Sequence, residues 1–147
     1  MDKTSIIKKS TIVLVGGCFD FIHYGHINFL KSAKKLGDKL VVALESDENT
    51  RKMKGPSRPI HTQKQRLQML ESLVFVDKVI PLPPMQGDKD YFKLVQTVKP
   101  SFIAVTKGDP IVDKKHAQAD MIGAKLVIIP KIKTPSTTQL AKLLDLE

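Results

Sequence analysis

Two histidines three residues apart are the side chains with the clearest capacity for chemistry in this sequence. His23 and His26 end the segment Gly16-Gly-Cys-Phe-Asp-Phe-Ile-His-Tyr-Gly-His26, which joins a run of apolar residues to a stretch with helical spacing. At the start of a helix, free backbone N–H groups and the positive end of the helix dipole favour an anion. Each imidazole can donate a further N–H to a phosphate oxygen. The segment therefore predicts a site that holds a chain of phosphates.

Other interpretations of this segment are weaker. Two histidines at this spacing could bind a metal, but no cysteine ligand cluster or third histidine stands nearby, so we expect no metal held by protein side chains. A glycine pair after a strand often only makes a turn, and the dinucleotide fingerprint G-x-G-x-x-G is absent. The phosphate interpretation is preferred because glycines, Phe-Asp and both histidines occur together at a strand-to-helix junction.

The elements that must position these histidines follow a regular alternation. Short apolar runs predict strands over 11–15, 40–44, 79–80, 102–105 and 126–129. Helical spacing predicts helices over 24–36, 63–73, 91–98, 114–122 and 136–144. The alternation predicts an α/β fold, a single doubly wound, Rossmann-like domain with a mainly parallel five-stranded sheet. Such sheets bind ligands at the carboxyl ends of their strands, where the histidine segment lies.

The segments between these elements carry more specific predictions. The polar stretch from Ser46 to His61 contains Gly55 and two prolines and is predicted to be a long loop, after which Thr62 caps the next helix. The last helix is expected to turn Leu140, Leu143 and Leu144 inward. We expect one domain over residues 1–147, with residues 1–10 as a flexible N-terminus.

Composition limits the class of protein. The chain has 147 residues, 41% hydrophobic and 5% aromatic, which predicts an aliphatic core. The net charge of +9 is spread over both halves, and few aromatic residues accompany the lysines, so nucleic-acid binding is not favoured. No signal peptide or membrane-spanning run is apparent, and a single cysteine excludes an internal disulfide. We expect a cytoplasmic protein without a membrane partner.

The stretch Gly17-x-Phe-Asp-x-x-His-x-Gly-His26 resembles the signature of the cytidylyltransferase-like nucleotidyltransferases. The resemblance extends from about residue 11 to residue 144. It includes Lys54-Gly-x-Ser-Arg58-Pro, Gln65-Arg66 and Lys107-Gly-Asp109, of which the first and last look most like the heptose-phosphate branch. The resemblance implies that an acceptor phosphate attacks the α-phosphorus of a nucleoside triphosphate and that pyrophosphate leaves.

The resemblance also implies roles for particular residues. His23, His26, Lys54 and Arg66 would be catalytic, with Lys52 as the competitor for the loop lysine. The residues implied at the nucleotide are Gly17, Cys18, Phe19, Asp20, Gly25, Lys107, Asp109, Lys131, Ser136, Thr137 and Thr138. Those implied at the acceptor are Asp20, Arg58 and Asp109. Asp20 is preferred as a group that orients the loop, and Cys18 as a packing residue.

Several substrates remain open under this resemblance. The preferred reaction joins ATP to a sugar 1-phosphate such as heptose 1-phosphate, with Mg²⁺ accompanying the triphosphate. Glycerol 3-phosphate with CTP and FMN with ATP are alternatives, and a nucleotide-binding regulatory module is the alternative without catalysis. Class I aminoacyl-tRNA synthetases share His-x-Gly-His, but their lysine-rich loop is absent here. Relatives are often dimers, so a homodimer is expected.

Overall fold

The computed structural model describes residues 10–145, with the exception of the side chain of Thr137. The N-terminus expected to be flexible, residues 1–10, lies outside this part of the chain except for Ser10. Within the described residues, none of the six helices combines the length and the apolar content needed to cross a membrane.

Within residues 10–145, five parallel strands form a single sheet in the order β3-β2-β1-β4-β5. The strands are β1 (Ile12–Gly17), β2 (Lys39–Leu44), β3 (Lys78–Pro81), β4 (Phe102–Thr106) and β5 (Lys125–Ile129). Val13 of β1 stands opposite Leu40 of β2 on one side and Phe102 of β4 on the other. β1 is therefore the central strand, and the strand order reverses beside it. The predicted α/β class and the five-stranded sheet are confirmed, and every pairing is parallel.

Helices cover both faces of this sheet. They are α1 (Tyr24–Lys34), α2 (Asp47–Lys54), α3 (Gln63–Glu71), α4 (Asp88–Val98), α5 (Val112–Ile122) and α6 (Thr137–Leu143). One core layer packs Leu30 of α1 and Leu70 of α3 against one side of β1 and β2. The other packs Val95 of α4 and Ala119 of α5 against the opposite side. Apolar residues on both faces explain why the central strands are continuous apolar runs.

The prediction of a continuous loop from Ser46 to His61 was wrong, because Asp47–Lys54 forms helix α2. Ser46 caps this helix by accepting the backbone N–H of Asn49 at 3.0 Å, and the helix ends at Gly55 with φ of 117°. Its buried side consists of Asn49 and Thr50. Hydrophobic periodicity missed the helix because the side that faces the protein is polar. The cap predicted at Thr62 is present, and its side chain accepts the N–H of Gln65 at 3.2 Å.

The last helix, α6, buries different residues from those that the sequence predicted. Ser136 is its N-cap, and Ala141 is fully buried. Leu143 and Leu144, which were expected to face inward, are 76% and 55% exposed. The prediction that Leu143 and Leu144 face inward was therefore wrong, and Ala141 is the residue of this helix that is buried.

Candidate active site

The loop between β1 and α1 has an unusual backbone. Phe19 and Phe21 both have positive φ, 45° and 63°, a region that bulky side chains adopt only when surrounding contacts enforce it. A Cβ at Gly17 would lie 3.0 Å from the Phe19 ring, so a side chain there would crowd that ring. The Phe19 ring in turn meets the edge of His26, with centroids 5.4 Å apart. The loop therefore directs its aromatic side chain toward the second histidine.

Asp20 holds this loop to the segment that precedes α3. Its carboxylate accepts hydrogen bonds from Arg58 Nε at 2.7 Å and from the backbone N–H groups of Ile60 and His61 at 2.7 and 3.0 Å. Arg58 also donates to the Asp20 carbonyl at 3.1 Å. Although burial raises the pKa of Asp20, these donors outweigh it and leave that pKa below its usual value. The described contacts give Asp20 the orienting role preferred from the sequence.

His23 and His26 together form the cap of α1. The Nδ1 atom of His23 accepts the N–H of Gly25 at 3.0 Å, and the Nδ1 atom of His26 accepts the N–H of His23 at 3.2 Å. The rings stack with centroids 4.0 Å apart. Because both Nδ1 atoms are acceptors, a neutral ring must carry its proton on Nε2. The backbone thereby selects the tautomer that leaves each Nε2–H to donate to a ligand.

The electrostatic surroundings keep these rings neutral in the free protein. Burial, together with the nearby His23 and Lys54, lowers the pKa of His26 to about 3, although Asp20 acts to raise it. Burial also lowers the pKa of His23, and Lys131 and Lys54 add to the effect. Both imidazoles are therefore uncharged donors near neutral pH until an anion arrives.

Gly25 allows this arrangement sterically. A Cβ at this position would lie 2.7 Å from Cε1 of His23 and 3.0 Å from Cγ2 of Thr134. The first distance is shorter than packed carbon atoms tolerate, so a side chain would displace the His23 ring. The second contact brings the segment before α6 beside the histidines.

The two candidate loop lysines differ in their surroundings. Lys54, the last residue of α2, is close enough to lower the pKa values of His23, His26 and Cys18. Lys52 instead lies 3.4 Å from Glu48 on the exposed side of the same helix. Lys54 is therefore the lysine whose charge acts on the histidine site. Lys131, which follows β5, contributes a second positive charge there.

Both predicted arginines are buried. Arg58 is 1% exposed and binds Asp20, as described above. Arg66 is 0% exposed and donates to the carbonyls of His61, Cys18 and Glu45 at 3.0, 2.7 and 3.0 Å. It also contacts Asp47 at 2.7 Å. These contacts give both guanidinium groups a positioning role, and contact of either with a substrate remains a prediction.

The other residues implied at the nucleotide lie on two separate segments, one after β4 and one at the start of α6. Asp109 accepts the N–H of Ile111 at 2.8 Å and pairs with Lys115 at 2.6 Å, while Lys107 is exposed. Ser136 caps α6, Thr138 is exposed, and the side chain of Thr137 lies outside the described part of the chain. Their contacts with nucleotide stay predictions.

Cys18 is a packing residue by its surroundings. It is 7% exposed, its sulfur lies 3.7 Å from that of Met53, and burial raises the pKa of its thiol. A raised pKa means that little thiolate forms near neutral pH, which disfavours a nucleophile.

Sequence reasoning missed Glu45 and Tyr91. Glu45 follows β2 directly and is 6% exposed. The Tyr91 hydroxyl, in the first turn of α4, lies 3.0 and 2.8 Å from its two carboxylate oxygens. The sequence did hold a signal for Glu45, because it is an acidic residue directly after a buried strand, and ligands bind at that edge of a parallel sheet.

Paired histidine donors at a helix N-terminus beside the strand-order reversal define a nucleotide-handling α/β protein of the nucleotidyltransferase class. Residues 14–141 match the cytidylyltransferase-like family, and the chain belongs to that family.

Several relatives resemble most of the chain. It is 38% identical over 131 residues to the bifunctional protein HldE of Campylobacter fetus, and 37% identical over 132 residues to that of Desulfatibacillum aliphaticivorans. The matches cover 88% of this chain in each case but 27% and 26% of the relatives, so the chain spans about a quarter of their length.

Solved structures resemble the fold as well. A lipopolysaccharide core biosynthesis protein from Thermoplasma volcanium has a TM-score of 0.67 and 29% identity, over 86% of this chain and 99% of that one. A pantoate-β-alanine ligase from Francisella tularensis has a TM-score of 0.61 at 19% identity, over 90% of this chain and 64% of that one, and supports the fold alone.

Proposed function

We propose that this chain transfers the adenylyl group of ATP to a sugar 1-phosphate, with heptose 1-phosphate as the preferred acceptor, and releases pyrophosphate. The similarity to the bifunctional protein HldE and to a lipopolysaccharide core biosynthesis protein supports a sugar phosphate as acceptor. The resemblance of the Lys54–Pro59 and Lys107–Asp109 segments to the heptose-phosphate branch points the same way.

The observation that carries the proposal is the paired arrangement of His23 and His26 at the start of α1. Their Nδ1 atoms are occupied by backbone N–H groups, and their rings are stacked 4.0 Å apart. Two Nε2–H donors at this spacing suit the oxygens of adjacent phosphates. A pair of neutral donors also fits a reaction in which charge grows on phosphate oxygens in the transition state.

The reaction needs little proton transfer. An oxygen of the acceptor phosphate forms a bond to the α-phosphorus, and the bond from that phosphorus to the bridging oxygen breaks as pyrophosphate leaves. Because the acceptor phosphate is already ionised, a general base is unnecessary. His23 and His26 would donate to the oxygens that gain charge, and Lys54 and Lys131 would attract the triphosphate.

Mg²⁺ is proposed only as the counter-ion of the triphosphate. Within residues 10–145 no group of three or more histidine, cysteine or acidic side chains is placed to hold a metal ion. The donors around the motif are imidazole and ammonium groups, which do not suit Mg²⁺, a cation that prefers oxygen ligands. We therefore propose that phosphate oxygens of the triphosphate, and not a cluster of protein side chains, hold Mg²⁺.

Two further proposals are a homodimer, which the family resemblance implies, and a cytoplasmic location. Sedimentation equilibrium would test the first, since a monomer mass at micromolar concentration contradicts it. Cell fractionation would test the second, and recovery of the protein with membranes contradicts it.

The experiment that tests the function measures pyrophosphate release with Mg²⁺ present. ATP and CTP are each combined with heptose 1-phosphate, glycerol 3-phosphate and FMN. We expect ATP with heptose 1-phosphate to be the most active pair. Higher activity with another pair would show that the acceptor or the nucleoside triphosphate differs from the one proposed. Binding of nucleotide with no release in any pair would support the regulatory alternative instead.

A further inference from the structure

The side of the sheet opposite α1 presents a carboxylate at the same edge as the histidines. In β2, Val41 and Ala43 face the core layer under α4 and α5. Glu45 comes two residues after Ala43, directly beyond the end of β2. Its backbone N–H extends the hydrogen bonding between β2 and β1 by donating to the carbonyl of Gly17 at 3.0 Å. Because side chains alternate along a strand, Glu45 faces the α4 and α5 side as well.

The carboxylate of Glu45 retains unused capacity for hydrogen bonds. Among the described residues, the hydroxyl of Tyr91 is the single donor to it, shared between both carboxylate oxygens. A hydroxyl has one proton, whereas an ionised carboxylate accepts about four hydrogen bonds. The comparably buried Asp20 has three donors. Consistent with this deficit, burial raises the pKa of Glu45 even though Tyr91, Lys115 and Arg66 act to lower it.

Glu45 lies beside the phosphate-handling loop. A single nitrogen of Arg66, Nη1, donates both to the carbonyl of Cys18 at 2.7 Å and to that of Glu45 at 3.0 Å. The Glu45 charge is also near enough to raise the pKa of the Cys18 thiol. The carboxylate thus borders the same loop as the histidines from the other face of the sheet.

The side chains near Glu45 include both a positively and a negatively charged group. Lys115, in the first turn of α5, pairs with Asp109 at 2.6 Å and also influences Glu45 electrostatically. Tyr91 projects from the first turn of α4. A ligand here would meet hydrogen-bond acceptors on Glu45 and a donor on Lys115, which is the mixture that binds a polyol.

We propose that Glu45, Tyr91 and Lys115 form the subsite that binds the hydroxyl-bearing carbon skeleton of the acceptor. The Glu45 carboxylate accepts hydrogen bonds from its hydroxyl groups, and Tyr91 fixes the orientation of that carboxylate. This inference rests on the proposed function in taking a sugar phosphate as the acceptor.

The test measures binding, so that it does not depend on turnover. Calorimetry compares heptose 1-phosphate with methyl phosphate, which carries the phosphate but no hydroxyl groups, with a non-hydrolysable ATP analogue present. We expect the wild type to bind heptose 1-phosphate at least about ten-fold more tightly, the effect of one hydrogen bond to a charged group. In Glu45→Gln this preference should fall by about ten-fold, while affinity for methyl phosphate changes by less than about two-fold.

Glu45→Gln keeps an oxygen that can accept the Tyr91 hydroxyl, so we expect it to fold. Tyr91→Phe is the second variant, since it leaves the carboxylate in place and removes its orienting contact; it should reduce the same preference. A wild type without preference, or variants that weaken both phosphates equally, would overturn the subsite. Failure of the proposed function would look different, with selective binding of heptose 1-phosphate but no pyrophosphate release.

Discussion

The carboxylate of Asp20 lies 2.7 Å from Nε of Arg58, and neither side chain is exposed to solvent. The two residues are 38 positions apart. Their contact joins the loop before α1 to the segment before α3, and both segments border the histidine site. The histidines therefore depend for their position on a buried ion pair that does not itself include them.

Asp20→Asn should destabilise the protein strongly. The substitution keeps the size of the side chain but leaves the buried Arg58 without its counter-charge, and breaking one partner of such a pair typically costs about 3 kcal/mol or more. Urea denaturation would measure the loss. Asp88→Asn is the matched control, because the Asp88 side chain is 74% exposed and pairs with the exposed Lys114 at 3.3 Å. An equal, small effect of both substitutions would contradict the anchoring role of Asp20.

His26→Ala should lower kcat by on the order of 10²-fold or more, the usual loss when one transition-state donor is removed. Two further variants separate catalysis from capping. His26→Asn retains an acceptor near the backbone N–H of His23 but has no donor at the Nε2 position, so it should stay inactive and fold. His26→Gln can place an amide N–H near that position and should recover part of the rate.

The control for these kinetics is His116→Ala, since His116 is an exposed residue of α5 paired with Asp120. Its rate should equal that of the wild type. Unchanged turnover in His26→Ala would refute the role of His26 as a donor.

Stability should fall as the pH drops from about 6.5 toward 5. The pKa of His26 is about 3 in the folded protein and that of His23 is also lowered, whereas unfolded histidine titrates near its model value of 6.5. The unfolded state therefore binds more protons in this window, which favours unfolding by up to about 1.4 kcal/mol per pH unit for each histidine. Above about pH 7.5 these groups should contribute no pH dependence.

Thermal unfolding at pH 5.0, 6.0 and 7.5 would check this dependence. His26→Asn removes one of the two titrating groups, so its stability should vary less with pH than that of the wild type. If stability changed equally with pH in the wild type and in His26→Asn, the result would argue against a neutral, buried His26.

Lys54→Ala should reduce kcat/KM by about ten-fold or more, since it removes the positive charge that we propose attracts the triphosphate. Lys52→Ala serves as the matched control two residues away, because Lys52 lies beside Glu48 on the exposed side of α2. Its kcat/KM should change by less than about two-fold, as expected for an exposed pair. A larger effect at Lys52 than at Lys54 would reverse the assignment of the loop lysine.

Gly25→Ala should lower kcat although alanine favours helices more than glycine does. The added Cβ would lie 2.7 Å from Cε1 of His23 and would move that ring away from its stacked partner. Pyrophosphate release and thermal unfolding together would measure the effect. Gly87→Ala is the control, since nothing lies within 4 Å of a Cβ there. Full activity of Gly25→Ala would show that the ring position tolerates the displacement.

The sequence alone determined the layered fold and the place of the histidines. Strand and helix periodicities are local properties, and His23 and His26 are close in the chain, so their shared helix turn follows from spacing. The cap at Thr62 was also predicted, because a cap is defined by a few consecutive residues. The family resemblance indicated the reaction, but it did not show how the implied residues are arranged in space.

Only the tertiary structure decided which charged residues are buried and what they contact. Arg58 and Arg66 look like exposed loop and helix residues in the sequence, yet both are enclosed. Tyr91 and Glu45 are 46 positions apart, and no local pattern connects them. Long-range packing brings such groups together, and their burial then sets their protonation and their hydrogen-bond partners. Helix α2 escaped prediction for the same reason, because its inner side is polar and is stabilised by contacts with distant backbone, as in the bond from Asn49 to the carbonyl of Met85.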